Sequence, residues 1–336
     1  VAGVDLRGAA AGDDAPRTLS KGLSPSDRVF HGSLRSFAVV VLAVFGSIGV
    51  FLALQSVPTL RRYGAGFFTE ADWNPQRNRL GISSTVLGTV EVALVALVVA
   101  IPLALAVAIF ISEYAPERLK GLLVGLIDLM AAVPSIVYGM WGALVLMPQA
   151  KFVARWLHQN LGWIPIFRVD ADPNAATWAQ SRYVSSAAIA GVCVAMMVLP
   201  IACAVMRGVF AQAPLGEREA AYALGSTRWG MIRTVVLPFG RGGIIGGTML
   251  GLGRALGETI AVLLIISNSF KINFRILQTG TSTVSSLIAG RFGDATDVQL
   301  SALLTAGFVL FVLTLVVNTA AAVFVSRSRS GAATEI

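Results

Sequence analysis

Long apolar runs, each close to the length of about 20 residues that an α-helix needs to cross a hydrocarbon core, are the feature that most limits how this chain can fold. They cover residues 36–57, 82–111, 121–147, 184–206, 242–267 and 298–325. None of them alternates apolar and polar residues as the strands of a membrane barrel do. Charged residues make up 13% of the chain, which is about half of the share found in soluble domains. The sequence therefore predicts an all-α integral membrane protein with six transmembrane helices.

Polar segments flank the predicted spans. Residues 1–35 are rich in Gly, Pro, Ser and Arg and are expected to form a disordered tail, and residues 326–336 form a second tail. Residues 36–57 are too long for a signal-peptide core and lack a small-residue cleavage site, so this run is expected to remain as the first span. The five later spans, within residues 82–325, form the predicted bundle. Pro134 lies inside one of them, where a bundle tolerates it because neighbouring groups satisfy the freed carbonyl.

Lysine and arginine residues in the short loops set the expected orientation. They are slightly more numerous on the side that carries both chain ends, so the N- and C-termini are expected in the cytoplasm. Residues 207–241 then form a cytoplasmic loop, and residues 148–183 form the longest external loop. The external loop contains Trp156, Trp163 and Trp178, which either anchor at the headgroup level or form a surface for an external partner.

Composition also excludes several kinds of function. The formal net charge of +8 comes from arginines scattered over loops, which favours contact with anionic headgroups over nucleic-acid binding. Cys193 and Cys203 lie about 15 Å apart along one helix, so they are expected to be separate core thiols. His31 and His158 have no neighbour at metal-ligand spacing. Because the chain has neither a Gly-Lys-Ser/Thr phosphate-binding loop nor a cluster of catalytic side chains, no metal site, cofactor or enzymatic activity of its own is expected.

The loop of residues 207–241 is predicted to contain two short helices. Residues 217–224 favour a helix that ends at Gly225. Ser226 is the expected N-cap of a second helix, which closes before Pro238. The loop therefore forms a compact knob between two predicted spans.

Two interpretations of this knob remain open on its residues. The small Ala220 and Ala221 keep the first helix thin enough to enter a groove of another protein, and charge at its rim comes from Glu217, Arg218 and Glu219. Alternatively, both helices lie on the membrane surface with their apolar sides in the headgroups.

The spacing of particular residues in this loop resembles that of the ABC-importer permeases. The pattern is Glu-Ala-Ala, three residues, Gly, nine residues, an aliphatic residue, any residue, and Leu-Pro. Val235 stands at the aliphatic position, where isoleucine is more usual. The resemblance implies a coupling helix seated in a cleft of an ATPase subunit. The residues that match are Glu219, Ala220, Ala221, Gly225, Leu237 and Pro238.

Two further stretches are similar to the PstC-type phosphate permeases within that family. They are residues 253–262 (GRALGETIAV) and residues 133–142 (VPSIVYGMWG). The related PstA-type subunits usually continue with Ala-Pro after a similar Gly-Glu-Thr. Here Ile260-Ala261-Val262 follows, which favours the PstC type. The likeness covers residues 82–325. It implies a second, PstA-like permease subunit, ABC ATPase subunits, an extracytoplasmic phosphate-binding protein and a multi-pass location in a prokaryotic cell membrane.

Arg254 and Glu258 are unusual because each charged side chain near the middle of a span is unfavourable by about 2.5 to 3.5 kcal/mol. Their spacing of four residues places them on one face of the predicted helix, where they can partly neutralise each other. One interpretation is a structural ion pair that holds the bundle in register. The other is an anion pathway, because a guanidinium suits phosphate oxygens and Glu258 would moderate its field.

Glycines spaced four residues apart recur in the same span and permit close helix packing. They are Gly243, Gly247 and Gly251, and the pair Gly253 and Gly257. They pack either within the chain's own bundle or against a partner subunit. Both arrangements fit the pattern.

These features predict a transmembrane permease subunit of an ATP-driven ABC importer that moves inorganic phosphate into the cell, with ATP hydrolysis in separate ATPase subunits. One alternative is an ABC permease for another oxyanion, such as molybdate or sulfate. A second is a secondary anion transporter, which would typically show repeated halves and broken helices. The second alternative leaves the spacing of the loop unexplained.

Overall fold

The computed structural model describes residues 25–170 and 182–328, and these residues are mostly helical. The helices are α1 (Pro25–Tyr63), α2 (Gly66–Thr69), α3 (Ser83–Ile109), α4 (Glu117–Ala132), α5 (Ser135–Trp141), α6 (Met147–Leu161), α7 (Ala187–Phe210), α8 (Leu215–Ala223), α9 (Arg228–Met231), α10 (Leu237–Phe239), α11 (Arg241–Gly257), α12 (Ile260–Ile265), α13 (Val284–Arg291) and α14 (Asp297–Ser328). A small antiparallel hairpin joins β1 (Trp73–Asn74) to β2 (Arg79–Leu80), with Trp73 opposite Leu80.

Within the described residues, 5 helical segments are long and apolar enough to cross a membrane. They are Ser26–Tyr63, Ser83–Tyr114, Ser135–Leu161, Ala187–Phe210 and Asp297–Val323. The pair Arg228–Phe239 and Arg241–Gly257, bent by 65°, makes up to 6 if it counts as one span. The predicted class, an all-α membrane protein, is confirmed, while the count of six and the orientation stay predictions.

The chain divides into two compact units, Val1–Val50 and Phe51–Ile336. The described part of the first unit is the first half of α1, whose large apolar side chains, such as Phe37 and Leu42, are exposed. The helix already begins at Pro25, so the prediction of a disordered tail is wrong for residues 25–35. Proline suits the first position of a helix, and an acidic residue, Asp27, complements the dipole of its first turn. Residues 1–24 lie outside the described residues.

The core of the second unit is built around α7, which packs along α3 and α11, while α14 packs against α11. Small residues permit these close approaches. A Cβ atom on Gly243 would lie 2.7 Å from Val209, and one on Gly251 would lie 2.6 Å from Val198. Three of the glycines singled out in the sequence, Gly243, Gly247 and Gly251, are thus buried against α7 of the same chain.

Two spans, residues 121–147 and 242–267, are broken where the sequence predicted continuous helices, and the second break lies between Gly257 and Ile260. The predicted span of residues 121–147 is wrong, because α4 ends at Ala132 and α5 begins at Ser135. Val133 and Pro134 between them are extended, since the residue before a proline is driven out of the helical region. The segment long enough to cross a membrane is instead Ser135–Leu161, so α6 extends into the region assigned to an external loop.

Wide π-helical turns precede two prolines, Pro148 and Pro238, and the sequence predicted a helix end at Pro238. The turn Gly142–Leu146 leads into α6, whose second residue is Pro148, and the turn Ile232–Val236 leads into α10, which contains Pro238. A proline leaves one carbonyl without its amide partner, and a local π adjustment accommodates that gap. The second loop helix therefore runs on to Phe239, and the prediction that it closes before Pro238 is wrong.

Candidate functional site

The predicted coupling loop is a helix, a tight reversal and a second helix. The first helix is α8, and Gly225 follows it in the left-handed region at φ +81°. The Ser226 amide donates to the Ala221 carbonyl at 3.0 Å, and the Gly225 amide donates to the Tyr222 carbonyl at 2.9 Å. These bonds close the C-terminal end of α8, and a residue with a side chain adopts such a conformation only with strain. The reversal therefore explains why glycine stands at this position of the motif.

The second helix is capped by Thr227 and not, as predicted, by Ser226. The Thr227 hydroxyl accepts the backbone N–H of Gly230 at 3.1 Å. Thr227 has extended backbone angles, and this conformation places its oxygen over the first turn of α9. The error is a single position and leaves the two-helix architecture unchanged.

The motif residues divide between an outer and an inner side of the loop. Four are exposed, namely Glu219, Ala220, Gly225 and Pro238. Ala221 and Leu237 instead pack against a buried apolar cluster that includes Phe210 and Ile232. The motif thus combines an accessible surface with the contacts that hold it on the bundle.

Apolar side chains extend the accessible side of the loop. Leu224 is 89% exposed, Leu215 69% and Trp229 55%. Exposed groups of large apolar residues on one surface commonly mark a contact with a protein or a membrane. The loop therefore presents both charge, from Glu217 and Glu219, and an apolar contact area.

Arg218 contacts the bundle rather than standing at the accessible edge of α8, so its predicted place at the rim is wrong. Its guanidinium is 3.0 Å from a carboxylate oxygen of Glu113, which follows α3. It also donates to the carbonyl of Phe210, the last residue of α7, at 2.6 Å. The Glu113 side chain is almost completely buried. The sequence analysis missed Glu113, although a lone acid next to a predicted span was a signal for it.

Arg254 and Glu258 do not share one helix face. Helix α11 ends at Gly257, and Glu258 is extended with ψ 130°. Its carboxylate accepts the backbone N–H of Ala261 at 3.4 Å, at the start of α12, and its carbonyl accepts the Ser285 hydroxyl at 2.7 Å. Glycine favours such a break, and the carboxylate satisfies an amide that the new helix start leaves free. Arg254 and Glu258, both described, form no ion pair, so the predicted i, i+4 pair is wrong.

The two side chains also differ in exposure. Glu258 is buried at 9%, whereas Arg254 is exposed. Arg254 borders a recess of about 400 Å³. The residues that line it are Ile201, Leu250, Gly253, Arg254 and Asn318. A charge on a membrane-spanning helix faces a partner, a cavity or water rather than lipid, and the recess supplies such a cavity.

Asn318 of α14 is a neighbour of Arg254 that the sequence analysis missed. A Cβ atom on Gly253 would lie 3.0 Å from the Asn318 side-chain oxygen, so the glycine makes room for the amide. The signal was available, because Asn318 is a single amide within the apolar run of residues 298–325. Its amide adds neutral hydrogen-bonding groups to the lining of the recess that Arg254 borders.

A second recess lies beside the predicted external loop. It has a volume of about 590 Å³, and Asp170, Lys271 and Arg275 are among its lining residues. The Arg275 guanidinium, hydrogen-bonded and ion-paired with Asp170, lowers the pKa of that carboxyl.

Of the three tryptophans in the predicted external loop, Trp156 and Trp163 are exposed, and Trp178 lies outside the described residues.

Comparisons with known proteins identify the family of this chain. The family described as "Binding-protein-dependent transport system inner membrane component" matches residues 100–330. The "Phosphate transport system permease protein PstC" of Mycobacterium leprae is 40% identical over 299 residues, covering 88% of this chain and 92% of that protein. The protein of the same name from Xylella fastidiosa strain Temecula1 is 38% identical over 294 residues, with 87% and 88% covered.

A third relative, "Phosphate transport system permease protein PstC 2" of Mycobacterium bovis, is 39% identical over 288 residues, covering 84% of this chain and 86% of that protein. In fold, the chain resembles the crystal structure of a bacterial ABC transporter involved in the import of the acidic polysaccharide alginate. That likeness has a TM-score of 0.51 and 16% identity, and it covers 89% of this chain and 99% of that chain. The chain therefore belongs to the binding-protein-dependent transport permease family, and within that family to the PstC-type permeases.

Proposed function

We propose that this chain is a transmembrane subunit of an ATP-driven importer that moves inorganic phosphate into a prokaryotic cell. The relatives at 38–40% identity are named as phosphate transport permeases. The observation that carries the proposal for this chain is the exposed Arg254, which lines a recess together with Asn318 and residues of α7, α11 and α14. That arrangement offers a permanent positive charge and a neutral amide to a tetrahedral anion.

The coupling loop is the proposed site of ATPase docking. Its exposed residues Glu219, Ala220 and Gly225, with Leu224 and Trp229 beside them, form the surface that enters a cleft of the ATPase subunit. This assignment puts the loop and both chain ends in the cytoplasm. ATP hydrolysis then takes place in the separate ATPase subunits, and the loop transmits their movement to the spans.

Phosphate passes Arg254 in this proposal, with alternating access of the recess to the two sides of the membrane. A second permease subunit, PstA-like, faces the exposed side of α11, and an extracytoplasmic binding protein delivers phosphate to the outer mouth. Glu258 lies in the helix break one turn from Arg254, where it lines the end of the same pathway. Because it is not paired with Arg254, it leaves the guanidinium free for the anion.

Import of another oxyanion is the second candidate, since a guanidinium binds sulfate or molybdate by the same chemistry. Uptake of radiolabelled phosphate by the reconstituted complex, with each anion as competitor, separates the two. A secondary anion transporter is disfavoured by the coupling loop, and it would move phosphate without ATP.

Arg254→Gln tests the pathway, with Arg291→Gln as a matched control because Arg291 is exposed outside the spans. Arg254→Gln is expected to abolish phosphate uptake while all subunits still copurify, and Arg291→Gln is expected to transport normally. Normal uptake by Arg254→Gln would remove this residue from the pathway.

A further inference from the structure

Both helices of the coupling loop contact the same short segment, the π-helical turn Phe110–Tyr114 that continues α3. From α8, Arg218 reaches Glu113 at 3.0 Å. From α9, the Arg228 guanidinium lies over the Tyr114 ring, 4.9 Å from its centroid. The two contacts lie on either side of the reversal at Gly225, so the loop is held at two points on adjacent residues of one turn.

The contact between Arg218 and Glu113 joins elements that are distant in sequence. The two residues are 105 positions apart, so the ion pair adds a connection that the chain itself does not provide. Through the backbone, the loop is continuous with α7 and α11 only. Through this pair it is also attached to α3, which packs along α7 and against α11, the helix that carries Arg254.

The chemistry of this connection is specific to arginine. One nitrogen of the guanidinium contacts both carboxylate oxygens of Glu113, at 3.0 and 3.1 Å, and the other donates to the Phe210 carbonyl at 2.6 Å. Arg218 therefore ties α8 to α3 and to the end of α7 at once. A lysine carries a single ammonium on a flexible stem and does not reproduce this planar arrangement. Since the carboxylate is almost completely buried, loss of its partner leaves a charge without compensation.

We propose that Arg218 and Glu113 are a positioning pair that fixes the coupling loop to α3, so that a displacement of the loop by the ATPase moves α3 with it. The inference rests on the proposed function, because it takes the ATPase as the source of the displacement. Arg228 over Tyr114 supports the same attachment from the second helix. The pair touches neither substrate nor nucleotide, and it acts through the helix that it holds.

The test compares ATP hydrolysis with phosphate transport in the reconstituted full complex. The variants are Arg218→Lys, Glu113→Gln and the charge exchange Arg218→Glu with Glu113→Arg. The control is Glu117→Gln, which removes an acid from an exposed surface pair with Lys120 just beyond the same turn. Each single variant is expected to keep its ATPase subunits and hydrolyse ATP. Transport per ATP is expected to fall by roughly tenfold, a size within the usual range of couplings between protein sites.

The charge exchange is expected to recover part of the lost transport per ATP, since it rebuilds the ion pair but not the hydrogen bond to the Phe210 carbonyl. The control is expected to match the unmodified complex. Two results would overturn the inference. One is unchanged coupling in both single variants. The other is loss of ATPase copurification in the single variants without rescue by the exchange, which would assign the pair to folding alone. Failure of the unmodified complex to couple ATP hydrolysis to phosphate transport would instead overturn the proposed function.

Discussion

The coupling loop and the break in α11 each carry an arginine of interest, and the structure places the two in opposite environments. Arg218, expected at an accessible rim, lies against the buried Glu113. Arg254, expected in an ion pair with Glu258, is exposed beside a recess. A spacing of four residues therefore predicts an ion pair only where both residues lie in one unbroken helix. In the loop the partner came from a distant element, and in α11 the helix ended before the pair was complete.

The largest effect after loss of Arg254 is expected from Gly225→Val, which tests whether the coupling loop needs its reversal at this glycine. Open space surrounds Gly225, but its φ of +81° is strained for any residue with a side chain. The local penalty is roughly 1–2 kcal/mol, and more for a β-branched residue. We expect the reversal to shift, with loss of ATPase copurification or of ATP-driven transport.

The matched control for this change is Gly208→Val. Gly208 lies in α7, also has open space around its Cα, and has no positive φ. It is expected to assemble and transport normally. If Gly225→Val copurifies its ATPase and transports as well as the control, the exposed loop surface is not the docking site.

Substitutions of Asn318 test the environment of Arg254. Asn318→Asp places a carboxylate next to Arg254, where it is expected to pair with the guanidinium and lower phosphate transport by roughly tenfold. Asn318→Leu removes only neutral hydrogen-bonding groups, so a reduction of a few-fold is expected. Both are measured as initial rates of phosphate uptake. Equal rates for the two variants would mean that Arg254 does not meet the anion at this recess.

Two substitutions of Glu258 test whether its side chain stabilises the helix break, by accepting the Ala261 amide, rather than taking part in an ion pair. Glu258→Ala removes the acceptor for the Ala261 amide and is expected to lower the stability of the complex by about 0.5–1 kcal/mol. Glu258→Gln keeps an acceptor oxygen and is expected to change the thermal unfolding temperature less. If the amide variant is as unstable as the alanine variant, the charge of Glu258 matters and a partner for it must exist in the assembled complex.

The smallest effect is expected from Asp170→Asn, at the exposed ion pair with Arg275. The pKa of Asp170 is lowered by Arg275. The stabilisation from the pair is therefore fully present above the ordinary pKa of the carboxyl and is lost only as the pH falls through the lowered value. Exposed pairs contribute little to stability, so the variant and the unmodified protein are expected to have the same unfolding temperature near neutral pH. A clear difference there would indicate that the pair is shielded by a partner.

Much of the fold follows from local sequence patterns. Apolar runs place the helices α3, α7 and α14 because a backbone in lipid must satisfy its own hydrogen bonds. The prediction failed at Pro134 and Gly257, where a local breaker stood inside an apolar run and hydropathy could not register it. It also failed at Pro238, where a preceding π-helical turn lets the helix continue. In these cases the apolar pattern and the backbone geometry place the end of the helix at different residues.

The candidate site was predictable to the extent that it depends on local spacing. The motif from Glu219 to Pro238 is contiguous in sequence, and so its two helices and the glycine reversal were foreseen. Asn318 and Glu113 were missed because each reaches its arginine across the bundle from another helix. No pattern within one segment predicts a contact between side chains of two separate helices.

By itself, the sequence determined the membrane class, the family and the two segments proposed to carry its function, because these depend on composition and on spacing within one stretch of chain. Only the tertiary structure decided which arginine is paired with a buried carboxylate and which borders an open recess. Pairing of a charge depends on what lies within a few ångströms of it, and those neighbours come from helices that fold together from distant parts of the chain. The packing of α3, α7, α11 and α14 thus assigns Arg218 to Glu113 and leaves Arg254 beside Asn318 in an open recess.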